Sequence, residues 1–191
     1  MNQIIKLFSV ALISIYLAGC STYMVNSYGV SVDNVESMKT HPGTSLSVNS
    51  FKSLKPGVSS IQCRGAGPVA TPDKSTFEAY INKALISELK LAGIYSETSP
   101  ISIDGYFEKL DFDSTIGSGK WIFSVNVSSD TGSAYTLSSI YPFSTNWVAD
   151  KACQQVAQAF VPAVQNLIKD IISHPQFAIM ADKSSSNTAG L

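Results

Sequence analysis

Lys120-Trp121-Ile122-Phe123-Ser124-Val125-Asn126-Val127 decides how this chain folds. Trp121, Phe123, Val125 and Val127 alternate with Lys120, Ser124 and Asn126. Side chains along a strand point to opposite faces in turn, so this alternation describes a strand with one apolar and one wet face. Working outward, Gly117-Ser118-Gly119 precedes it and Asp130-Thr131-Gly132-Ser133 follows it, and both are turn sequences. Beyond the first turn, Ile101, Ile103 and Phe107 share one parity while Leu110 and Phe112 take the other. That switch requires either a bulge near Glu108 or burial of both faces in succession. Beyond the second turn, Tyr135, Leu137, Tyr141 and Phe143 continue the pattern. Three such runs joined by short turns make an antiparallel meander.

A helix flanks the meander on each side. In the first, Phe77, Ile81, Ala84, Leu85, Leu89 and Ala92 recur at spacings of three and four. Ser75 with Glu78 forms a capping-box sequence at its start, and Gly93 supplies the left-handed stop. The second helix is expected over residues 146–173, with Ala152, Val156, Phe160, Val164, Leu167 and Ile171 as its stripe. Pro162 lies inside it and is expected to kink or break the rod near Gln158, because proline removes one helical hydrogen bond. His174-Pro175 ends it.

Upstream, Leu46 and Val48 alternate with Ser45, Ser47 and Asn49, which places a first strand over residues 44–52. Residues 55–72 carry Pro56, Gly57, Gly65, Gly67, Pro68 and Pro72 and read as a loop. Residues 20–43 read as a tether and linker, with one short helix possible behind Asp33 and stopped by His41-Pro42-Gly43. Residues 179–191 read as a disordered tail. The order strand-helix-strand-strand-strand-helix therefore predicts an α+β domain over residues 44–178: a four-stranded mixed sheet with two helices packed on one face. If the first strand runs up, the first helix runs down, the meander goes up, down, up, and the second helix starts at the top. Cys63 and Cys153 then fall at the same end of the sheet.

Residues 1–19 hold one cation, Lys6, then an apolar run from Leu7 to Leu17 and small residues. That is a secretory signal, too short to cross the ~30 Å hydrocarbon core comfortably. Leu17-Ala18-Gly19-Cys20 closes it and resembles the bacterial lipobox. The resemblance implies cleavage between Gly19 and Cys20, a diacylglycerol on the Cys20 thiol and acylation of the new amine. Two or three chains at about 0.8 kcal/mol per buried CH₂ would anchor the protein permanently. Ser21 in place of an aspartate implies, by the same family's sorting rule, the outer membrane, with the domain on the periplasmic side. Cys63 and Cys153 would then meet an oxidising compartment and are expected to pair, the alternative being two separate buried thiols.

Composition excludes little beyond nucleic acid: the formal net charge is −1 and no basic stripe exists. Several fragments imitate chemical motifs. Asp130-Thr131-Gly132 has the letters of an aspartic-protease signature, but Ser128 and Ser129 stand where apolar strand residues belong, and a hairpin turn accounts for it. Gly117-Ser118-Gly119-Lys120 lacks the first glycine of a phosphate loop, and Trp121 replaces its magnesium-binding hydroxyl. Arg64-Gly65-Ala66-Gly67 is no dinucleotide fingerprint, because Pro68 follows it. His41 and His174 each precede a proline with no acid or cysteine at ligand spacing. Asp104, Glu108, Asp111 and Asp113 spread along one strand as a solvated face. No catalytic residue, metal site or cofactor is therefore expected.

The element order together with the Cys20 anchor resembles the fold shared by auxiliary lipoproteins of ABC-type lipid transport, the lipoprotein partner in lipopolysaccharide assembly, and the amino-terminal domain of TolB. Phe77-Glu78-Ala79-Tyr80-Ile81, Glu88-Leu89-Lys90-Leu91-Ala92-Gly93 and Ala152-Cys153-Gln154-Gln155 are similar to stretches of uncharacterised bacterial lipoproteins. The resemblance implies a non-enzymatic envelope accessory that binds a partner protein or lipid through the open sheet face, its edge, or the Pro162 region. A ligand-binding or stress-sensing module is the alternative, and a hydrolase with an unrecognised site is a third. A large apolar patch on the helix-free face would favour a partner, and an enclosed pocket a ligand.

Overall fold

A computed structural model of the protein describes residues 21–40 and 44–181. In chain order these form β1 (Tyr23–Met24), α1 (Val32–Lys39), β2 (Ser47–Val48), β3 (Lys52–Ser53), β4 (Ser60–Cys63) and β5 (Gly67–Ala70). A single 3-10 turn (Pro72–Lys74) leads to α2 (Phe77–Ala92) and the long strands β6 (Ser102–Asp113), β7 (Gly119–Ser129) and β8 (Ala134–Phe143). The described chain ends with α3 (Ala149–Ile172) and α4 (Pro175–Ala181). No helix among the described residues is long and apolar enough to cross a membrane.

The fold is α+β, built on two mixed sheets. In the larger, β6, β7 and β8 form the antiparallel meander, and β2 and β3 lie parallel to β6 on its outer side. The parity switch in β6 is a bulge: register slips between Phe107 and Lys109, opposite Val125 and Ser124. Trp121, Phe123, Val125 and Val127 are all buried, as the alternation requires, and face α2 and α3. Trp121 sits at the centre. Its ring lies 4.6 Å from that of Phe160 on α3 and 5.9 Å from that of Phe77 on α2, and its indole N–H donates to the Val156 carbonyl at 3.0 Å. A buried indole without that partner would carry an unsatisfied donor.

The helix-free face is polar rather than apolar. Cross-strand rows such as Lys109–Ser124–Ser138 and Tyr106–Asn126–Thr136 cover it, with Ile122 and Ile140 as a single apolar row. The face holds no large hydrophobic patch of the kind that would mark a partner surface.

Several sequence expectations change. The first strand is split, because the Phe51 ring between β2 and β3 packs directly over Gly105 of β6, where a Cβ would collide with it. The α2 cap is Thr76, whose hydroxyl accepts from Ala79 N at 3.2 Å; Ser75 instead donates to the Pro72 carbonyl. Glu78 turns away from the capping box and accepts from Gly57 N. Gly93 closes α2 in the left-handed conformation, as expected. Pro162 does not break α3, which runs unbroken for 24 residues. The carbonyl that loses its donor belongs to Gln158, an exposed residue, so water can satisfy it.

The largest corrections lie before α2 and after α3. Residues 60–70 are not loop but a hairpin, β4–β5, which β1 joins in parallel to make the smaller sheet. Residues 23–39 are therefore not a tether. β1 is paired, and α1 packs on α2 and α3, burying Asn34, Val35 and Met38. Ser31 rather than Asp33 caps α1. Residues 179–181 belong to α4, where Met180 and Ala181 are buried, so the folded part runs past 178.

Cys63 and Cys153 form a disulfide, with Cα atoms 5.8 Å apart. It joins the end of β4 to the second turn of α3, at the same end of the larger sheet. Parallel β2 and β6 with an antiparallel meander is the topology that put the two cysteines there.

Candidate functional site

A cleft of about 540 Å³ opens between the two sheets. Val58, Ile61, Phe77, Phe107 and Leu110 supply its apolar lining, and Lys55, Glu78, Glu108, Lys109 and Asp111 stand around it. Its walls are strand edges. β3 stops at Ser53, and after Leu54 N donates to the Phe107 carbonyl at 2.8 Å no described strand pairs with β6 on that side. Among the described residues β4 pairs only with β5, which leaves its other edge without a strand partner there, and Ser60 and Ile61 face the cleft. An edge strand presents unpaired N–H and C=O groups along its length.

The bulge creates this arrangement. It turns the outer half of β6 so that Leu110 changes face while the strand continues to Asp113, well past the point where β3 ends. Beyond the end of β4, at the tip of the β4–β5 hairpin, Arg64 takes a left-handed φ of 46°. Its guanidinium donates to the Ser114 carbonyl through Nε (3.1 Å) and Nη2, and through Nη1 to the carbonyls of Asn146 (3.1 Å) and Trp147 (3.4 Å). A planar fork with five donors suits three loop carbonyls at once, which a lysine could not match. Sequence patterning missed this residue. The available signal was Ile61 and Cys63 on one parity and Val69 beyond a glycine-containing turn, a short hairpin hidden among prolines.

The acidic residues singled out in the sequence do not converge. Asp104 accepts from Asn49 Nδ2 (3.1 Å), Glu108 from the Ser124 hydroxyl (3.3 Å), and Asp113 from both the N–H (2.8 Å) and the hydroxyl (2.6 Å) of Thr115. The Thr115 hydrogen bonds hold the Asp113 carboxyl below its usual pKa. Among the described residues no group of three or more His, Cys, Asp or Glu could hold a metal ion. Asp130-Thr131-Gly132 is the β7–β8 turn, with Asp130 Oδ1 accepting from Ser102 N at 3.0 Å. The Gly117-Ser118-Gly119 segment is likewise a turn, between β6 and β7. His174 stacks on Tyr135 with ring centroids 4.0 Å apart and accepts from Gln176 N. His41, Gly19 and Cys20 lie outside the described residues.

The amino-terminal segment is clipped on by polar contacts. Glu88, fully buried on α2, accepts from the Tyr28 hydroxyl and from Ser31 N at 2.7 Å, while its other oxygen has no partner among the described residues. Tyr80 donates to the Asn26 carbonyl at 2.7 Å, and burial pushes its phenol up to about 12. Burial, with the Glu88 bond second, raises the Tyr28 phenol far above its ordinary value. Nearer the chain's entry, the Tyr23 hydroxyl donates to Asp150 on α3 at 2.7 Å. The Ser21 carbonyl rests against Gly67, whose φ of 153° and missing side chain make room for it.

No family model matches the chain, and no curated protein matches it. Among solved structures it is similar to the crystal structure of protein XCC0632 from Xanthomonas campestris, of the family model DUF330, with a TM-score of 0.59 at 9% identity. The similarity covers 86% of this chain and 99% of that one. At such an identity the likeness concerns architecture, and the chain shares its α+β fold with that protein.

Proposed function

We propose that the chain is a lipid-anchored accessory of a cell-envelope assembly or transport system, held on the periplasmic side of the outer membrane, with no catalysis of its own. It works by holding an extended segment of a partner protein in the cleft between β4 and β6. The observation that carries this reading is the pair of unpaired strand edges facing a shared apolar floor. Main-chain hydrogen bonds along such an edge give affinity, and pockets for alternate side chains give specificity. The Leu17-Ala18-Gly19-Cys20 sequence supplies the address.

Photo-crosslinking in native membranes tests the site. A crosslinker at Ile61 or Leu110 is expected to capture a protein neighbour that the same crosslinker at Thr136, on the polar sheet face, does not. Equal capture at both, or none at the cleft, rejects it. The anchor is tested separately by mass spectrometry of the mature chain, which must begin at an acylated Cys20. A second reading, an apolar small-molecule carrier, is favoured by the cleft volume, which lies within the range of about 300–1,000 Å³ typical of ligand sites. A ligand that co-purifies and is released by Ile61→Glu would support it over the partner segment.

A further inference from the structure

We infer that one end of the domain lies against the lipid surface and inserts Trp147 and Ile116 into its headgroup layer. This rests on the Cys20 anchor proposed above and adds an orientation that the anchor alone does not give. Trp147 and Ile116 are 77% and 67% exposed. They sit on neighbouring loops tied together by Gly117 N donating to the Thr145 carbonyl at 3.2 Å, by the Thr145 hydroxyl donating to the Thr115 carbonyl, and by Arg64. These loops follow β6 and β8 and precede α3, so they crown one end of the larger sheet.

The chain enters the domain at that same end. β1 runs parallel to β5, whose first residue, Gly67, lies across a tight turn from Arg64 and touches Ser21. Tyr23 reaches Asp150 in the first turn of α3. Tyr23 is already paired with Val69, so only Ser21 and Thr22 separate it from Cys20. At about 3.6 Å per extended residue, the three steps from Cys20 to Tyr23 reach at most about 11 Å. The headgroup layer is itself roughly 5–8 Å deep on each side of the bilayer. With acyl chains on Cys20 there is no spacer, and this end must meet the membrane. Tryptophan is the residue whose apolar ring and N–H suit that interface best. Arg64, Lys120 and Lys151 accompany Asp113 and Asp150 there, so the end is not acidic enough to be repelled by anionic lipid.

The test uses the full lipidated protein in vesicles of phosphatidylethanolamine and phosphatidylglycerol carrying brominated acyl chains. Only two tryptophans are present, and Trp121 is fully buried in the core, so it serves as an internal reference. Brominated lipid is expected to quench part of the emission, Trp147→Phe to abolish that quenching, and Ile116→Ser to weaken it. Both side chains are exposed, so neither variant threatens the fold. A vesicle-bound protein whose Trp147 emission ignores brominated chains and stays open to aqueous iodide overturns this inference while leaving the anchor intact. A chain that fails to float with vesicles, and whose Cys20 carries no lipid, overturns both.

Discussion

The larger sheet with α2 and α3 and the smaller sheet with the amino-terminal segment share one apolar core, but the second leans far more on single links. The first contributes Trp121, Phe77, Phe160, Phe123 and Leu85, which interlock there. Its stability is spread over many contacts, and its principal elements, α2, β6, β7, β8 and α3, run to between ten and 24 residues. The second is built from strands of two and four residues. It feeds Val25, Met38, Cys63 and Val69 into the same core and adds a few specific links: the Cys63–Cys153 bridge, Arg64 on the loop carbonyls, Gly67 against Ser21, and Glu88 on Tyr28 and Ser31. The difference teaches where each kind of damage should stop. Damage to the core should be global, whereas damage to a link should free the small sheet and leave the meander standing.

Trp121→Ala should have the largest effect, roughly 3–5 kcal/mol, through the cavity and the lost indole bond. Urea unfolding followed by far-ultraviolet circular dichroism should show one transition moved as a whole. Replacing both Cys63 and Cys153 by serine should cost about 2–5 kcal/mol, since the bridge closes a loop of 90 residues. If the comparison holds, hydrogen exchange will rise first in β4, β5 and β1; uniform loss of protection would break it. Gly67→Ala should cost about 1–3 kcal/mol and release Ser21 and β1 with little change in the core, because a Cβ has no room beside the Ser21 carbonyl. Limited proteolysis near Tyr23 would report it.

Thr76→Ala should cost about 1 kcal/mol in the larger unit, while Ser75→Ala should cost less. Equal losses would restore Ser75 as the cap. A further expected effect is alkaline. Burial pushes the Tyr80 phenol up from its ordinary 10.0 to about 12, so above pH 10 the unfolded state binds fewer protons and stability falls as pH rises towards 12. Its partner is the Asn26 carbonyl, so the amino-terminal segment should loosen before the meander does. Tyrosinate absorbance with segment-resolved proteolysis would measure the order.

Legibility in the sequence follows the same division. The alternation through Trp121–Val127, the parity switch near Glu108, the stripe of α3 and the Gly93 stop were all readable, because long elements repeat their signal. The hairpin over residues 60–70 was not, since four-residue strands flanked by Gly65, Gly67 and Pro68 give too few periods and resemble a loop. The cleft was invisible for a related reason. It exists because β3 stops while β6 continues, a mismatch between segments about fifty residues apart.

By itself, then, the amino-acid order determined the meander, its two covering helices and the nearness of Cys63 to Cys153, since burial periodicity and chain direction leave few alternatives for long elements. Tertiary structure alone decided that Arg64 clasps Ser114, that β4 and β6 leave facing edges open among the described residues, and that Ser21 rests against Gly67. Those outcomes arise from contacts between distant short segments, where a local pattern carries almost no energy and the surrounding core selects the geometry.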